Sequence, residues 1–394
     1  MARSRFPARS GSAAGTGVQL RQAVRCRALR QPRAFAGNRL GAARYAGYRR
    51  TGHGVRGGGP SVIAAMLSAP LAAALLCALW LQLARRGRWL DSPGQRSSHS
   101  LPTASGGGVG IILALALATA VAAQAGVVWP PVYGILLGLA VLLMLVGLLD
   151  DRYNLPARLR LGVYCAVCAL LVTAVFAAAP ASDVLFGVAF PLWVQAPLLV
   201  LALLWLVNLY NFMDGIDGLA TLQAFLAGMG GSLLALLAGD VTLALMCVLL
   251  ALSQLGFLYW NWPPARLFMG DAGSVPLGFL LGGLALIGAG YGTLPLACWL
   301  VLLAAFVTDA TWTLLTRWRA GASVFEAHRD HAYQRLSRHW GSHLAVDFLL
   351  VALNALWLFP LAWTIWRWPE FQLFLVILAY LPLLLGMAKL QRLT

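Results

Sequence analysis

Hydrophobic residues occur along this chain in uninterrupted runs of about 20, separated by short polar or Gly/Pro-rich connections. A helix of about 20 apolar residues spans the ~30 Å hydrocarbon core of a bilayer. The runs predict membrane-spanning helices at 66–84, 105–125, 132–149, 159–179, 192–212, 218–238, 241–260, 274–291, 294–315, 344–366 and 370–388. We therefore expect an all-α polytopic membrane protein of about 10–11 transmembrane helices.

The composition excludes an ordinary soluble domain. Of the 394 residues, 60% are hydrophobic and only 11% are charged, against about 25% charged residues in soluble proteins. The formal net charge of +16 is concentrated in residues 1–65, which hold 13 Arg and no acidic residue. The remaining chain carries only +3. The basic balance therefore does not indicate a nucleic-acid partner, and we expect none.

Residues 1–65 form a segment rich in Arg, Gly, Ala and Ser, with too little apolar periodicity to bury a face. We expect a disordered tail, followed by a transmembrane domain at 66–394. An organellar transit peptide has a similar composition. The interpretation that we favour is a translation start placed too far upstream, with Met66 as the true start.

The basic residues from position 66 onward are concentrated in every second connection between the predicted spans. Of these 16 residues, 15 lie in connections after odd-numbered spans, and only Arg367 lies elsewhere. Cytoplasmic connections carry the excess of Lys and Arg, so the odd-numbered connections are predicted to be cytoplasmic. Met66 would then lie on the outer side, and a 13-Arg tail would have to cross the bilayer, which argues against it. Arg158 and Arg160 are interpreted as anchors of this kind rather than as substrate ligands.

Polar side chains cluster in or beside the same cytoplasmic connections. These clusters contain Asp150 and Asp151 after the third span, Asn208, Asn211, Asp214 and Asp217 after the fifth, Asp271 after the seventh, and His328, Asp330, His331 and Gln334 after the ninth. Carboxylates that meet on one face repel one another unless a divalent cation neutralises them, and oxygen ligands select Mg, Mn or Ca. The clusters therefore predict a hard-metal site.

The spacing in NLYNFMDGIDGL supports a common site, because Asn211, Asp214 and Asp217 lie three residues apart and share one face of a helical run. An ordinary helix cap built from Asx residues is the alternative. For His328 and His331 the alternative is an interfacial position without a role in chemistry. Asp309, inside the ninth span, is left open between a structural hydrogen bond and the site. Asp183 and Asp240 are expected to be solvated in outer connections.

Metal-binding carboxylates at a membrane surface, flanked by His and Arg, suit phosphoryl transfer between a water-soluble nucleotide and a lipid. A phosphomonoester nucleophile has its second pKa near ~6 and is largely dianionic, so no strong general base is needed. An intramembrane aspartyl protease or a cation transporter would place its carboxylates within the spans. Here they lie at the ends of the spans, which favours the transferase.

Five segments resemble one family when they are taken in order. They are RSSHSLPTASGGGVG after the first span, VGLLDD, NLYNFMDGIDGL, FMGDAGS and HRDHAYQRL. Together they resemble the polyprenyl-phosphate N-acetylhexosamine-1-phosphate transferases, whose relatives include phospho-N-acetylmuramoyl-pentapeptide transferase. The resemblance covers roughly Met66 to the last span.

The resemblance implies a Mg²⁺-dependent reaction, with Mn²⁺ as an alternative ion, at the cytoplasmic face of a bacterial inner membrane. Undecaprenyl phosphate would attack the β-phosphate of a UDP-N-acetyl sugar, giving undecaprenyl-diphospho-sugar and UMP. The implied metal ligands are Asp271 and Asn211, and the implied catalytic residues are Asp150, Asp151 and His331. The implied substrate-binding residues are Thr103, Asn208, Asp214, Asp217, Asn261, His328 and Gln334.

Two departures from the family pattern bear on the substrate. Asn154 stands where many members have a third carboxylate, and HRDHAYQRL replaces a dense His triplet. The latter resembles the branch that initiates O-antigen and other surface polysaccharides, with transfer of the phospho-N-acetylmuramoyl-pentapeptide as the alternative. The sugar stays open among GlcNAc, FucNAc and QuiNAc. The oligomeric state also stays open, with a homodimer as one option.

Overall fold

The computed structural model describes residues 59–87, 89–91, 102–179, 185, 190–322 and 329–391. All of them belong to one compact unit, Ala34–Thr394. In chain order the helices are α1 (Gly59–Arg86), α2 (Gly108–Gln124), α3 (Pro131–Tyr153), α4 (Ala157–Ala178), α5 (Leu192–Phe212), α6 (Leu219–Leu237), α7 (Val241–Asn261), α8 (Asp271–Gly290), α9 (Leu296–Leu302), α10 (Ala304–Arg319), α11 (Ala332–Trp340), α12 (His343–Leu353), α13 (Phe359–Arg367) and α14 (Gln372–Leu390). A π-helical turn (Asn354–Leu358) joins α12 to α13, and a 3₁₀ turn (Pro369–Phe371) precedes α14.

The helices confirm the all-α polytopic fold. Within the described ranges nine helices or continuous helical segments are long and apolar enough to cross a membrane, and a bent pair can make a tenth span. The predicted span at 105–125 corresponds to α2, which has only 17 residues. The predicted continuous span at 294–315 is wrong in one respect, because α9 and α10 meet at an angle of 74°.

The break between α9 and α10 is held by side chains from other helices. The sequence around Leu303 contains neither Pro nor Gly, the usual causes of a sharp kink. The side-chain amide of Gln223 on α6 donates to the carbonyl of Leu302 at 2.9 Å. Asn354 in turn donates to Gln223 at 3.2 Å. These bonds give the carbonyl at the break a partner that the helix itself no longer supplies.

Helix α8 is the centre of the bundle and begins at Asp271. In its most apolar 18-residue stretch, 89% of the residues are buried, and it packs against α3 and α5. A Cβ atom at Gly147 on α3 would lie 2.3 Å from the carbonyl oxygen of Asp271. Only glycine therefore allows this close approach, which brings the end of α3 beside the start of α8.

A short sheet lies next to the same helix start. Strand β1 (Leu90–Asp91) pairs antiparallel with β2 (Thr103–Ala104). The carbonyl of Ala104 accepts a hydrogen bond of 2.8 Å from the backbone amide of Phe268, in the connection before α8. The first connection and the α7–α8 connection are thus joined beside Asp271.

Candidate active site

A cavity of about 1430 Å³ opens where α3, α5 and α7 end and α8 begins. Nine of the residues predicted from the sequence line it, and they come from all four predicted polar clusters and the end of α7. They are Asp150, Asp151, Asn208, Asn211, Asp214, Asp217, Asn261, Asp271 and Gln334. The fold therefore brings together carboxylates that are up to 121 positions apart, as Asp150 and Asp271 are in the chain.

Arg160 joins the two ends of this carboxylate cluster. Its Nη1 forms an ion pair with Asp150 and lies 3.4 Å from Oδ2 of Asp271. Asp150 also accepts a hydrogen bond of 2.8 Å from the backbone amide of Leu155. Arg160, which the sequence suggests as a membrane-surface anchor, thus also has partners within the protein. Its positive charge lies between two carboxylates, where it offsets their mutual repulsion.

Asp151 binds the start of α8 rather than pointing freely into the cavity. Its Oδ1 accepts from the backbone amide of Asp271 at 3.0 Å, and its Oδ2 accepts from the amide of Ala272 at 3.4 Å. The first amides of a helix lack partners within the helix, and the helix dipole favours an anion there. Asp151 on α3 therefore caps α8 and fixes the position of Asp271.

The connection between α5 and α6 supplies Asp214 and Asp217. Burial, reinforced by the charges of Asp151 and Asp217, raises the pKa of Asp214 to about 7. Asp217 is held from two sides, by the amide of Ala265 at 3.1 Å and by the imidazole of His343 at 3.3 Å. Asp214 is thus a group that changes protonation near neutral pH, whereas the position of Asp217 is fixed by its neighbours.

Asn261 lines the cavity and also has a structural role. Its side-chain oxygen accepts from the amide of Gly218 at 3.0 Å and from the hydroxyl of Thr221 at 3.1 Å. Its amide nitrogen donates to the carbonyl of Leu267 at 3.1 Å. One side chain thereby connects the end of α7, the start of α6 and the connection before α8.

Asp309 holds the short helix α11 and His331. Its carboxylate accepts from the backbone amides of Ala332 and Tyr333 at 2.9 and 3.0 Å and from the hydroxyl of Thr313 at 3.1 Å. Nδ1 of His331 lies 3.1 Å from Oδ1 of Asp309. The question left open for Asp309 is settled in favour of a structural hydrogen-bond role. His331 is 2% exposed and is not among the residues that line the cavity, so its predicted catalytic role stays a prediction.

Helix α11 also contacts the connection that carries Asp214. The hydroxyl of Tyr333 donates to the carbonyl of Phe212 at 3.0 Å, and burial raises the pKa of Tyr333 well above its usual value, so it stays a donor. A Cβ at Gly215 would lie 2.0 Å from this hydroxyl, so glycine is required there. Gln334, next along α11, lines the cavity with a buried Oε1 that has no hydrogen-bond partner in the described parts of the chain.

The four remaining residues named from the sequence have different outcomes. Thr103 lies in β2 and is not among the residues that line the cavity, whereas Ser105, two positions later, is. His328 lies outside the described residues, as does Asp183. The expectation that Asp240 is solvated is wrong, since it is 4% exposed, caps α7 through the amide of Leu243 at 2.9 Å, and accepts from Thr293 at 2.8 Å.

The cavity wall includes residues that the motifs did not indicate. Its polar part contains Trp89, Arg152 and Tyr164. An apolar part is formed by α4, α5 and α10. It comprises Leu161, Leu201, Leu204, Trp205 and Leu314. Hydrophobic periodicity places these residues on membrane-spanning helices, but only the tertiary packing shows that they border a carboxylate cluster.

The donor set at the start of α8 suits a hard cation. The side chains of Asp271 and Asn211 interact with each other, and both offer oxygen. In the described ranges no group of three or more His, Cys, Asp or Glu side chains is arranged to hold a metal ion. Mg²⁺ is commonly bound through one or two carboxylates, with phosphate oxygens and water completing its shell. These residues therefore fit Mg²⁺ only together with a phosphate-bearing ligand.

Comparison with known proteins identifies similar sequences. The model of glycosyl transferase family 4 matches residues 133–289. A decaprenyl-phosphate N-acetylglucosaminephosphotransferase of Mycobacterium leprae is 31% identical over 297 residues, covering 68% of this chain and 75% of that protein. A probable undecaprenyl-phosphate N-acetylglucosaminyl 1-phosphate transferase of Bacillus subtilis is 28% identical over 211 residues. The match covers 52% of this chain and 58% of the Bacillus protein.

A more partial similarity extends to a second kind of enzyme. A phospho-N-acetylmuramoyl-pentapeptide-transferase of Phenylobacterium zucineum is 34% identical over 154 residues, which cover 32% of this chain and 42% of that protein. The matched residues of the family model run from α3 to α8 and include Asp150, Asp214 and Asp271. The similarity thus covers the helices that carry the carboxylates of the cavity, whereas α10 and α11 lie outside the matched residues.

Proposed function

The chain belongs to glycosyl transferase family 4, and on this premise we propose that it transfers a sugar 1-phosphate to a polyprenyl phosphate in a membrane. The proposed donor is a UDP-N-acetyl sugar and the proposed acceptor is undecaprenyl phosphate. The products would be undecaprenyl-diphospho-sugar and UMP. The decaprenyl phosphate in the name of the mycobacterial relative makes the acceptor length part of the proposal to be tested.

The observation that carries this proposal is the two-part wall of the cavity. One part presents Asp150, Asp214 and Asp271 together with the guanidinium of Arg160, and the other is an apolar surface on α4, α5 and α10. A polyprenyl phosphate has the same two parts, an anionic head and an apolar chain. An apolar surface that continues from a charged cluster onto membrane-spanning helices suits such a ligand.

In the proposed reaction an oxygen of the lipid phosphate forms a bond to the sugar-linked phosphorus. The bond from that phosphorus to the oxygen bridging the two phosphates breaks, and UMP leaves with this oxygen. The acceptor phosphate is largely dianionic at neutral pH, so little proton transfer is required. Asp150 takes the proton of the singly protonated fraction, and Arg160 faces the acceptor phosphate with its positive charge.

Mg²⁺ is the proposed metal, with Mn²⁺ as a substitute, and Asp271 and Asn211 are its proposed protein ligands. When bound, the ion would neutralise the diphosphate and stabilise the charge on the leaving phosphate. Asp151 keeps Asp271 in place through the amides at the start of α8. Asn208, Asp217, Asn261 and Gln334 line the space that remains for the nucleotide and the sugar.

We place this chemistry at the cytoplasmic face of a bacterial inner membrane. The support is the distribution of basic residues, because the connections after odd-numbered spans, which include those that build the cavity, carry 15 of the 16 basic residues from position 66 onward. Initiation of O-antigen or another surface polysaccharide is the proposed pathway role. Transfer of the phospho-N-acetylmuramoyl-pentapeptide is less well supported, since that relative matches over a smaller part of its length.

A panel of UDP-sugars offered to the purified protein tests the proposal. The panel contains UDP-GlcNAc, UDP-FucNAc, UDP-QuiNAc and UDP-N-acetylmuramoyl-pentapeptide, each with undecaprenyl or decaprenyl phosphate and Mg²⁺. Mass spectrometry of the lipid fraction should show one polyprenyl-diphospho-sugar, with UMP in the aqueous fraction. If every combination leaves the lipid unchanged while the protein is folded, the proposed function is wrong.

A further inference from the structure

A second group of ionisable side chains lies directly behind Asp217. Nδ1 of His343, the first residue of α12, is 3.3 Å from Oδ2 of Asp217. Asp347 follows one turn later on the same face of α12. The sequence motifs single out neither His343 nor Asp347, and the reaction proposed above uses neither of them.

Nδ1 of His343 contacts both the backbone and the side chain of Asp217. The backbone amide of Asp217 donates a hydrogen bond of 3.4 Å to Nδ1, so Nδ1 is the acceptor. Oδ2 of Asp217 lies against the same imidazole and accepts from the backbone amide of Ala265 at 3.1 Å. His343 therefore fixes the backbone at position 217, and with it the direction of the carboxylate.

Asp347 is placed to reinforce this arrangement. It is 1% exposed, and neither of its oxygens has a hydrogen-bond partner within the described residues. The charges of His343 and Asp217 both act on it. A Cβ at Gly218 would lie 2.7 Å from its Oδ2, so the carboxyl abuts the backbone next to Asp217. A buried carboxyl without a hydrogen bond is costly, and this cost indicates a purpose other than stability.

We propose that His343 is a positioning residue for donor binding, and that Asp347 supports it. His343 holds the backbone of Asp217 and the amide of Ala265 holds Oδ2, so that the other carboxylate oxygen faces the cavity. An ionised carboxylate only accepts hydrogen bonds, so Asp217 would bind a hydrogen-bond-donating group of the sugar nucleotide. The inference rests on the proposed function, because the ligand is taken to be that donor.

Substitutions at position 343 distinguish positioning from a general structural role. In His343→Leu the acceptor for the backbone amide of Asp217 is lost. Asn places its side-chain oxygen close to the position of Nδ1, so His343→Asn keeps the acceptor, whereas His343→Gln moves it one bond further away. His339 on α11 is exposed and is outside the cavity lining, so His339→Leu is the matched control.

The measurements are KM for the UDP-sugar, kcat, UMP binding by calorimetry and melting temperature, all in detergent. We expect His343→Leu and His343→Gln to raise the donor KM and the Kd of UMP about tenfold. We expect kcat and the acceptor KM to change less than about threefold, and His343→Asn and His339→Leu to stay near wild type. The proposal is overturned if the donor KM is unchanged in His343→Leu and His343→Gln. It is also overturned if the Leu, Gln and Asn variants are equally impaired in kcat and melting temperature.

Asp347→Asn tests the supporting residue separately. Because it removes a buried carboxyl without a partner, we expect the melting temperature to stay constant or rise, while the donor KM increases severalfold. An unchanged donor KM overturns the role of Asp347. Failure of the proposed function would look different, since the wild-type protein itself would then release no UMP from any UDP-sugar.

Discussion

The carboxylate of Asp151 accepts a hydrogen bond of 3.0 Å from the backbone amide of Asp271. The two acidic residues, to which the resemblance assigns a catalytic and a metal-binding role, therefore differ in their structural role as well. Asp151 caps α8, whereas Asp271 is the first residue of that helix and faces the cavity. The distinction leads to separate expectations for the two side chains.

Asp271→Asn should abolish transfer without loss of stability. The substitution removes a proposed metal ligand and one charge of a crowded carboxylate cluster, so the rate should fall about 100-fold or more while the melting temperature stays the same or rises. UMP release and differential scanning fluorimetry measure the two quantities. A variant that retains more than a tenth of the wild-type rate would remove Asp271 from the metal site.

Asp151→Ala should lower both activity and stability. The loss of a helix cap costs about 1 kcal/mol of unfolding free energy, and Asp271 loses its fixed position. Asp240→Ala is the matched control, because Asp240 caps α7 in a similar way away from the cavity. We expect the control to lose stability but not activity. Equal activity in the two variants would show that Asp151 has no part in the chemistry.

Arg160→Gln should leave Asp150 and Asp271 without the charge between them. We expect the rate to fall about tenfold or more, with a larger effect on the acceptor KM than on the donor KM. Arg160→Lys keeps the charge but loses the planar guanidinium, so an intermediate rate is expected. Arg319→Gln at an exposed position is the control. Equal effects of Gln and Lys on the rate would argue against a role for the charge.

The protonation of Asp214 should make stability fall as pH rises. Its pKa of about 7 in the folded protein exceeds the ordinary value of about 3.9, so the folded state binds the proton more tightly than the unfolded state. The resulting stabilisation is complete below about pH 4 and is lost as pH rises through 7. Asp214→Asn should therefore raise the melting temperature at pH 8 relative to wild type, and much less at pH 5. The scans use buffer with EDTA, and an identical difference at both pH values would contradict the assignment.

The apolar part of the cavity wall should contact the lipid acceptor and not the nucleotide donor. Leu201 on α5 lines the cavity, and Leu201→Asn should raise the acceptor KM about three- to tenfold, because apolar contact is lost, with the donor KM unchanged. Leu198 lies one turn earlier on α5, is also exposed and is outside the lining, so Leu198→Asn is the control. If both variants behave alike, this surface is not the lipid site.

The sequence predicts the helices and the carboxylate cluster because hydrophobic runs and the acidic motifs are local signals. Their position at the ends of apolar spans makes Asp150, Asp214 and Asp271 recognisable in the sequence. The break at Leu303 has no such signal, since Gln223 and Asn354, which hold it, lie in other helices. The role of Arg160 depends on two carboxylates from α3 and α8, so composition alone assigns it to the membrane surface.

Side chains that act through another residue are the hardest to predict. Asp309 and His343 have ordinary local sequences, and their importance arises from contacts with Ala332 and Asp217. Asp240 was misassigned because a polar residue after an apolar span resembles a solvated connection, although its carboxylate is buried as a helix cap. Each of these positions is defined by a tertiary hydrogen bond.

Transfer of the sugar-linked phosphate itself is the central claim, and UDP-GlcNAc labelled with ³²P at the β-phosphate tests it most directly. The purified protein is incubated with Mg²⁺, undecaprenyl phosphate and this donor or the UDP-sugar that the panel identifies, labelled in the same way. We predict that the label enters the lipid fraction, that unlabelled UMP is released, and that Asp271→Asn or EDTA prevents both. Label that remains in UDP while the sugar reaches the lipid would contradict the account.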